Sequence, residues 1–89
     1  MDMDAWTLPQ PDFNHVEFER IDLAANARRY YLVAWQPDLF GEGAVIRLYG
    51  RMGRCKRVIT TPFPSLEAAW PAIRAIVRTR LRHGYRLIL

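Results

Sequence analysis

Eighty-nine residues suffice for one modest hydrophobic core and are too few for an activity that needs two lobes. A composition of 51% hydrophobic and 25% charged residues belongs to a folded chain rather than a disordered one, and the longest apolar runs fall far short of a membrane span. The net charge of +4 is unevenly placed: residues 1–26 carry six acids against Arg20, whereas residues 27–89 carry twelve bases, all arginine except Lys56, against Asp38, Glu42 and Glu67. Such asymmetry favours a polyanion on one surface, with the acidic first part lying away from it or neutralising a flank. The start Met1-Asp2-Met3-Asp4 is acidic where a signal peptide is basic, so a cytoplasmic protein is expected. Cys55 is the only cysteine; it forms no intrachain disulfide and offers no metal-site spacing.

Residues 1–12 contain Pro9 and Pro11 and no clear periodicity, and read as a flexible N-terminal arm that Trp6 could pin to a body of residues 13–89. Over residues 13–22, Phe13, His15 and Glu17 alternate with Val16, Phe18 and Arg20, which predicts a strand with Val16 and Phe18 inward. A turn at residues 23–26 leads into residues 28–36, rich in tyrosine, valine and tryptophan, which predict a central strand. Pro37-Asp38 and Gly41-Glu42-Gly43 mark a hairpin loop before a third strand over residues 44–51. Gly53-Arg54-Cys55 connects to a fourth strand from Lys56 to about Thr61, with Pro62 and Pro64 ending it. Ser65 then caps a helix whose Leu66, Ala69, Trp70, Ile73, Ile76, Val77 and Leu81 share one face, with a local irregularity expected at Pro71. Gly84 releases the helix into a last short strand over residues 85–89. The order β-β-β-β-α-β predicts an α+β fold, an antiparallel sheet covered on one face by a single amphipathic helix.

The most informative stretch is Tyr49-Gly50-Arg51-Met52-Gly53-Arg54, which sets an aromatic ring and guanidinium groups beside two glycines. In the preceding strand Ile46 and Leu48 face one way, and Arg47, Tyr49 and Arg51 the other. A face of that kind stacks a base or sugar on the ring while the arginines meet phosphates in a forked geometry. The same pattern also describes an ordinary half-buried strand with a solvated outer face. Arg54, Lys56 and Arg57 extend the positive field as sequence-independent phosphate contacts, no acid lying between Glu42 and Glu67. Arg74, Arg78 and Arg82 recur every four residues as a secondary basic stripe.

Several separated segments agree with one family. Asn26-Ala27-Arg28-Arg29-Tyr30-Tyr31-Leu32-Val33, Leu39-Phe40-Gly41, Tyr49-Gly50-Arg51-Met52-Gly53, Ala68-Ala69-Trp70 and Gly84-Tyr85 together resemble the WGR domain family over about residues 13–88. That family, named for a Trp-Gly-Arg motif, occurs in poly(ADP-ribose) polymerases and as small bacterial proteins. The resemblance supports the fold and implies that Arg28 and Arg29 approach DNA phosphates. It implies that Tyr49, standing where the family has tryptophan, packs on the sugar of a terminal nucleotide with a smaller ring. Arg51 would contact DNA or a neighbouring protein, and Gly50 and Gly53 would clear bulk at the motif.

Chemistry of its own is not expected. His15 and His83 stand apart, Cys55 has no evident base, and no carboxylate pair or phosphate-cradling glycine loop occurs. The chain is too short for an ADP-ribosyl transferase domain, so neither cofactor nor metal is expected. The sequence thus points to a nucleic-acid-binding module for DNA or RNA, foremost duplex DNA ends or breaks in a DNA-repair setting. The alternative is an adaptor that docks on a larger DNA-processing enzyme through Arg51 and the aromatic face.

Overall fold

The computed structural model describes residues 3–24, 26–54 and 56–88. Five strands and one long helix follow in the order β1 (His15–Asp22), β2 (Ala27–Pro37), β3 (Gly43–Arg51), β4 (Arg57–Phe63), α1 (Leu66–Arg82) and β5 (Arg86–Leu87). The expected α+β architecture is therefore the observed one. The sheet is antiparallel in the order β4-β3-β2-β1-β5. Four strands meander through hairpins, and α1 carries the chain back so that β5 lands against β1.

Turn chemistry sets the connections. Asn26 adopts a left-handed φ of 47° between β1 and β2, where its amide donates to the Leu23 carbonyl. In the β2–β3 loop the Asp38 carboxylate accepts from the Phe40 and Glu42 amides, at 2.8 and 3.0 Å. Ser65 has extended backbone angles and accepts from the Ala68 amide at 3.0 Å, so the predicted N-cap is real. Pro71 does not interrupt α1, which runs unbroken to Arg82, and Gly84 follows it with φ 85°.

Pro62 does not end the fourth strand; β4 continues through it to Phe63. The reason is position: β4 lies at the sheet's edge, where proline is tolerated because a strand there needs only one row of partners. The last strand is confined to two residues, and the expectation for Leu89 and the calls on Cys55 fall outside the described residues.

Register assigns the faces, because directly opposed residues point the same way. One cross-strand row is Val16, Val33, Arg47, Ile59; the next is Phe18, Tyr31, Tyr49, Arg57. Helix α1 covers this side, packing Ala69, Trp70, Ile73 and Val77 against Val16, Phe18, Tyr31, Val33, Trp35 and Val45. The opposite side keeps Leu32, Ala34, Ile46 and Leu48 half-buried with no helix over them.

The N-terminal residues join the core. Met3–Trp6 forms a short 3-10 turn, and Trp6 is buried, stacked on Trp70 at 5.4 Å between centroids. The Trp70 indole N–H donates to the Trp6 carbonyl at 2.7 Å, and Phe13 sets its ring edge-on to both indoles.

The open side holds one buried charge. Glu19 is 3% exposed and accepts from Arg86 Nε at 3.0 Å and from Arg28 Nη2 at 2.8 Å, so one carboxylate ties β5 and β2 to β1. The Arg86 hydrogen bonds, joined by Arg28, hold it below the usual carboxylate range against the opposing effect of burial. Beside it the Tyr30 hydroxyl donates to Glu17; burial foremost, then this bond, pushes the phenol up to about 12.

Candidate nucleic-acid interface

Two residues beyond the aromatic row, each of the three central strands presents an arginine on the helix side. Arg20 opposes Arg29, and Arg29 opposes Arg51. Neighbouring strands lie about 4.8 Å apart, so three guanidinium stems leave the sheet in one closely spaced line. All three are exposed. Like charges set directly opposite one another repel, and a row of this kind gives an anion a place to lie across the strands.

The row borders an aromatic cluster. Tyr31 and Tyr49 stack with centroids 5.3 Å apart and planes 15° apart, and Tyr85 sets its ring edge-on to Tyr31 at 6.0 Å. The Arg80 guanidinium lies over the Tyr31 ring at 4.4 Å and near Tyr85 at 5.3 Å. Arg47 donates a long hydrogen bond, 3.4 Å, to the Tyr31 hydroxyl. The Arg80 Nε is buried without a hydrogen-bond partner, its neighbours being aromatic carbon.

Tyr49 is therefore not a freely standing platform. It is half-buried, with one face spent on Tyr31, and it lies on the side that α1 covers. What it offers a ligand is the rest of the ring, at the corner where Arg57 opposes it on β4. Arg29, Arg51, Arg57 and Tyr49 are thus brought to one corner, and Arg54 is exposed in the turn just beyond, its amide donating to the Arg51 carbonyl at 3.0 Å. Gly53, with φ 77°, supplies the left-handed bend of that turn.

Three predicted residues fall elsewhere. Arg28 points to the open side and is engaged by Glu19; Lys56 sets its ammonium 4.3 Å from the Tyr30 ring centre; and Gly50 opposes Tyr30 on the same side. The Arg74, Arg78 and Arg82 stripe keeps Arg78 and Arg82 exposed.

Arg20, Arg80 and the Tyr31–Tyr85 pair belong to the corner but carry no role in the sequence reading. Arg80 was detectable: it falls three residues after Val77 and seven after Ile73, inside the apolar stripe of α1, so its charge had to meet the sheet. Arg20 was hidden because it sits among six acids, and only the strand register sets it beside Arg29.

Among the described residues no group of three or more His, Cys, Asp or Glu could hold a metal ion, and no helix is long and apolar enough to cross a membrane.

The WGR domain family matches residues 14–88, nearly the whole chain. The chain belongs to that family. Members of the WGR family serve poly(ADP-ribose) polymerases as nucleic-acid-binding modules. The chain is also similar to the uncharacterized protein y4dW of Sinorhizobium fredii, 32% identical over 68 residues that take in 76% of this chain and 33% of that protein. The chain thus spans about a third of that relative's length. No solved structure matches it. Within the WGR pattern the departure is Tyr49 for tryptophan, and here the smaller ring is one half of a tyrosine stack.

Proposed function

We propose that this WGR domain binds duplex DNA at an end or break, through backbone contacts at the Tyr49 corner and without chemistry of its own. The observation that carries the reading is the cross-strand row Arg20, Arg29, Arg51, three opposed like charges beside an aromatic stack. Its arginines meet phosphates, Arg54 and Arg57 widen the field, and the outer part of Tyr49 packs on the exposed sugar of a terminal nucleotide. Contacts of this kind position a duplex and read little sequence. A charge row favours a polyanion over the adaptor reading, since a protein interface relies on one or two desolvated anchors.

The test is fluorescence anisotropy on a labelled blunt duplex, with unlabelled blunt, nicked and closed circular DNA as competitors. Blunt and nicked DNA should compete well and circular DNA poorly. Tyr49→Trp should tighten binding to ended DNA by enlarging the stacking surface, and Arg51→Ala should weaken binding to every form. No binding at low salt would end the nucleic-acid reading. Equal competition by circular DNA would remove only the preference for ends.

A further inference from the structure

At the other end of the sheet the surface changes sign. From Tyr31 to Trp35 the chain climbs four residues of β2, about 13 Å at strand rise, to a cleft of about 590 Å³ between the β2–β3 loop, the segment leading into β1 and the first turn of α1. Its apolar lining comes from Phe13, Trp35, Pro37 and Leu66. Asp12, Glu42 and Glu67 also line it, all exposed, and no lysine, arginine or histidine does.

Charge placement makes this cleft unusual for the chain. Residues 27–89 hold only three acids, Asp38, Glu42 and Glu67; two line the cleft, and Asp38 orders the loop beside it. The other twelve charged positions in residues 27–89 are positive, so the acids are gathered rather than scattered. The loop also carries Leu39 and Phe40, 96% and 87% exposed. Two large apolar side chains in water on an ordered turn, next to an apolar cleft with an anionic rim, suit a partner that brings its own apolar and cationic groups.

We propose that this cleft and the Leu39–Phe40 tip dock a cationic peptide segment of a partner protein, one whose apolar side chain enters over Trp35 and Leu66 while its lysines or arginines meet Asp12, Glu42 and Glu67. Nucleic acid is repelled by this rim, and a metal ion has no use for the apolar lining. The proposal does not rest on DNA binding at the Tyr49 corner; it gives the domain a second surface that a partner can occupy while that corner is filled.

The probe is a soluble decapeptide carrying four lysines and two leucines, with glutamate-for-lysine and serine-for-leucine counterparts. Each is titrated into the ¹⁵N-labelled full chain, and amide shifts are followed. The cationic apolar peptide should move Phe13, Gly41, Glu42, Leu66 and Glu67 amides, and both counterparts should bind at least about tenfold more weakly. Glu42→Lys with Glu67→Lys should cost a similar factor while duplex binding is kept or strengthened. Shifts centred away from the cleft, no shifts at millimolar peptide, or indifference to the double charge reversal would each overturn the proposal. Concentration-dependent shifts of the same amides without peptide would overturn it in favour of a second copy seating its basic corner there.

Discussion

A methyl group added at Gly43 would lie 2.6 Å from the Gln36 carbonyl oxygen and 2.6 Å from Cζ2 of Trp35. Neither neighbour is the loose end of a flexible side chain, so the strain cannot be shed cheaply. Gly43→Ala is expected to destabilise the fold by about 1–3 kcal/mol, read as a lower urea midpoint with an unchanged slope. Two titrating groups add a pH signature. The Tyr30 phenol is raised to about 12 from an ordinary 10.0, so the folded state favours its neutral form; that contribution is complete below pH 10 and is lost as the pH climbs through 12. Glu19 is lowered from 4.5, so its contribution is complete above that value and is lost as the pH falls through the depressed one. Tyr30→Phe should therefore flatten the alkaline limb of a stability-against-pH curve and Glu19→Gln the acid limb; the opposite assignment of limbs would refute the linkage. Tyr49 marks the limit of sequence reading at this scale. Alternation separates Ile46 and Leu48 from Arg47, Tyr49 and Arg51, but both sets are partly apolar, so the pattern does not say which one meets α1.

Among the elements, the strands and helix were legible because their signals are local: alternation in β1, tyrosine and valine in β2, the Asp38–Gly43 loop, and the Ser65 cap. What was not legible depends on neighbours. Pro62 reads as a stop unless the strand order is known, and Trp6 can be read as a pin for the arm but not set against Trp70. Trp6 touches Trp70 and Phe13, both far from it in the periodic pattern that organises the rest. Removing its indole leaves a hole beside Trp70, while the Trp6 carbonyl that accepts from the Trp70 indole N–H is main chain and stays. Trp6→Ala should cost about 3–5 kcal/mol, a large share of the stability of so small a fold, and should red-shift the tryptophan fluorescence as water reaches Trp70. A cost below about 1 kcal/mol would mean that the arm is not part of the cooperative unit.

At the scale of the whole molecule, charge is segregated in space in a way that crosses its division along the sequence: Arg20 of the acidic part joins the arginine row, and Glu42 and Glu67 of the basic part line the cleft. The principal extent is 44 Å, and the arginine row and the acidic cleft lie toward opposite ends of β2. If the row meets phosphates, the logarithm of the binding constant should fall linearly with the logarithm of salt, and Arg20→Ala, Arg29→Ala and Arg51→Ala should each reduce the slope by about 1. Arg28→Ala should leave the slope unchanged, because that side chain is engaged by Glu19 on the other side. A slope insensitive to all three row substitutions would place the phosphate contacts elsewhere. The family motif was readable residue by residue, whereas the row is a property of register: Arg20, Arg29 and Arg51 are nine and twenty-two residues apart and meet only when three strands pair.

The two borders of the sheet have a consequence for life in a crowded solution. One is β4, with Pro62 inside it, and the other is β5, only two residues long and flanked by the Arg86 ion pair with Glu19. Proline, brevity and charge are the devices by which natural sheets refuse an incoming strand. At high concentration an open border would let copies zip into insoluble ribbons, and these two borders withhold that pairing.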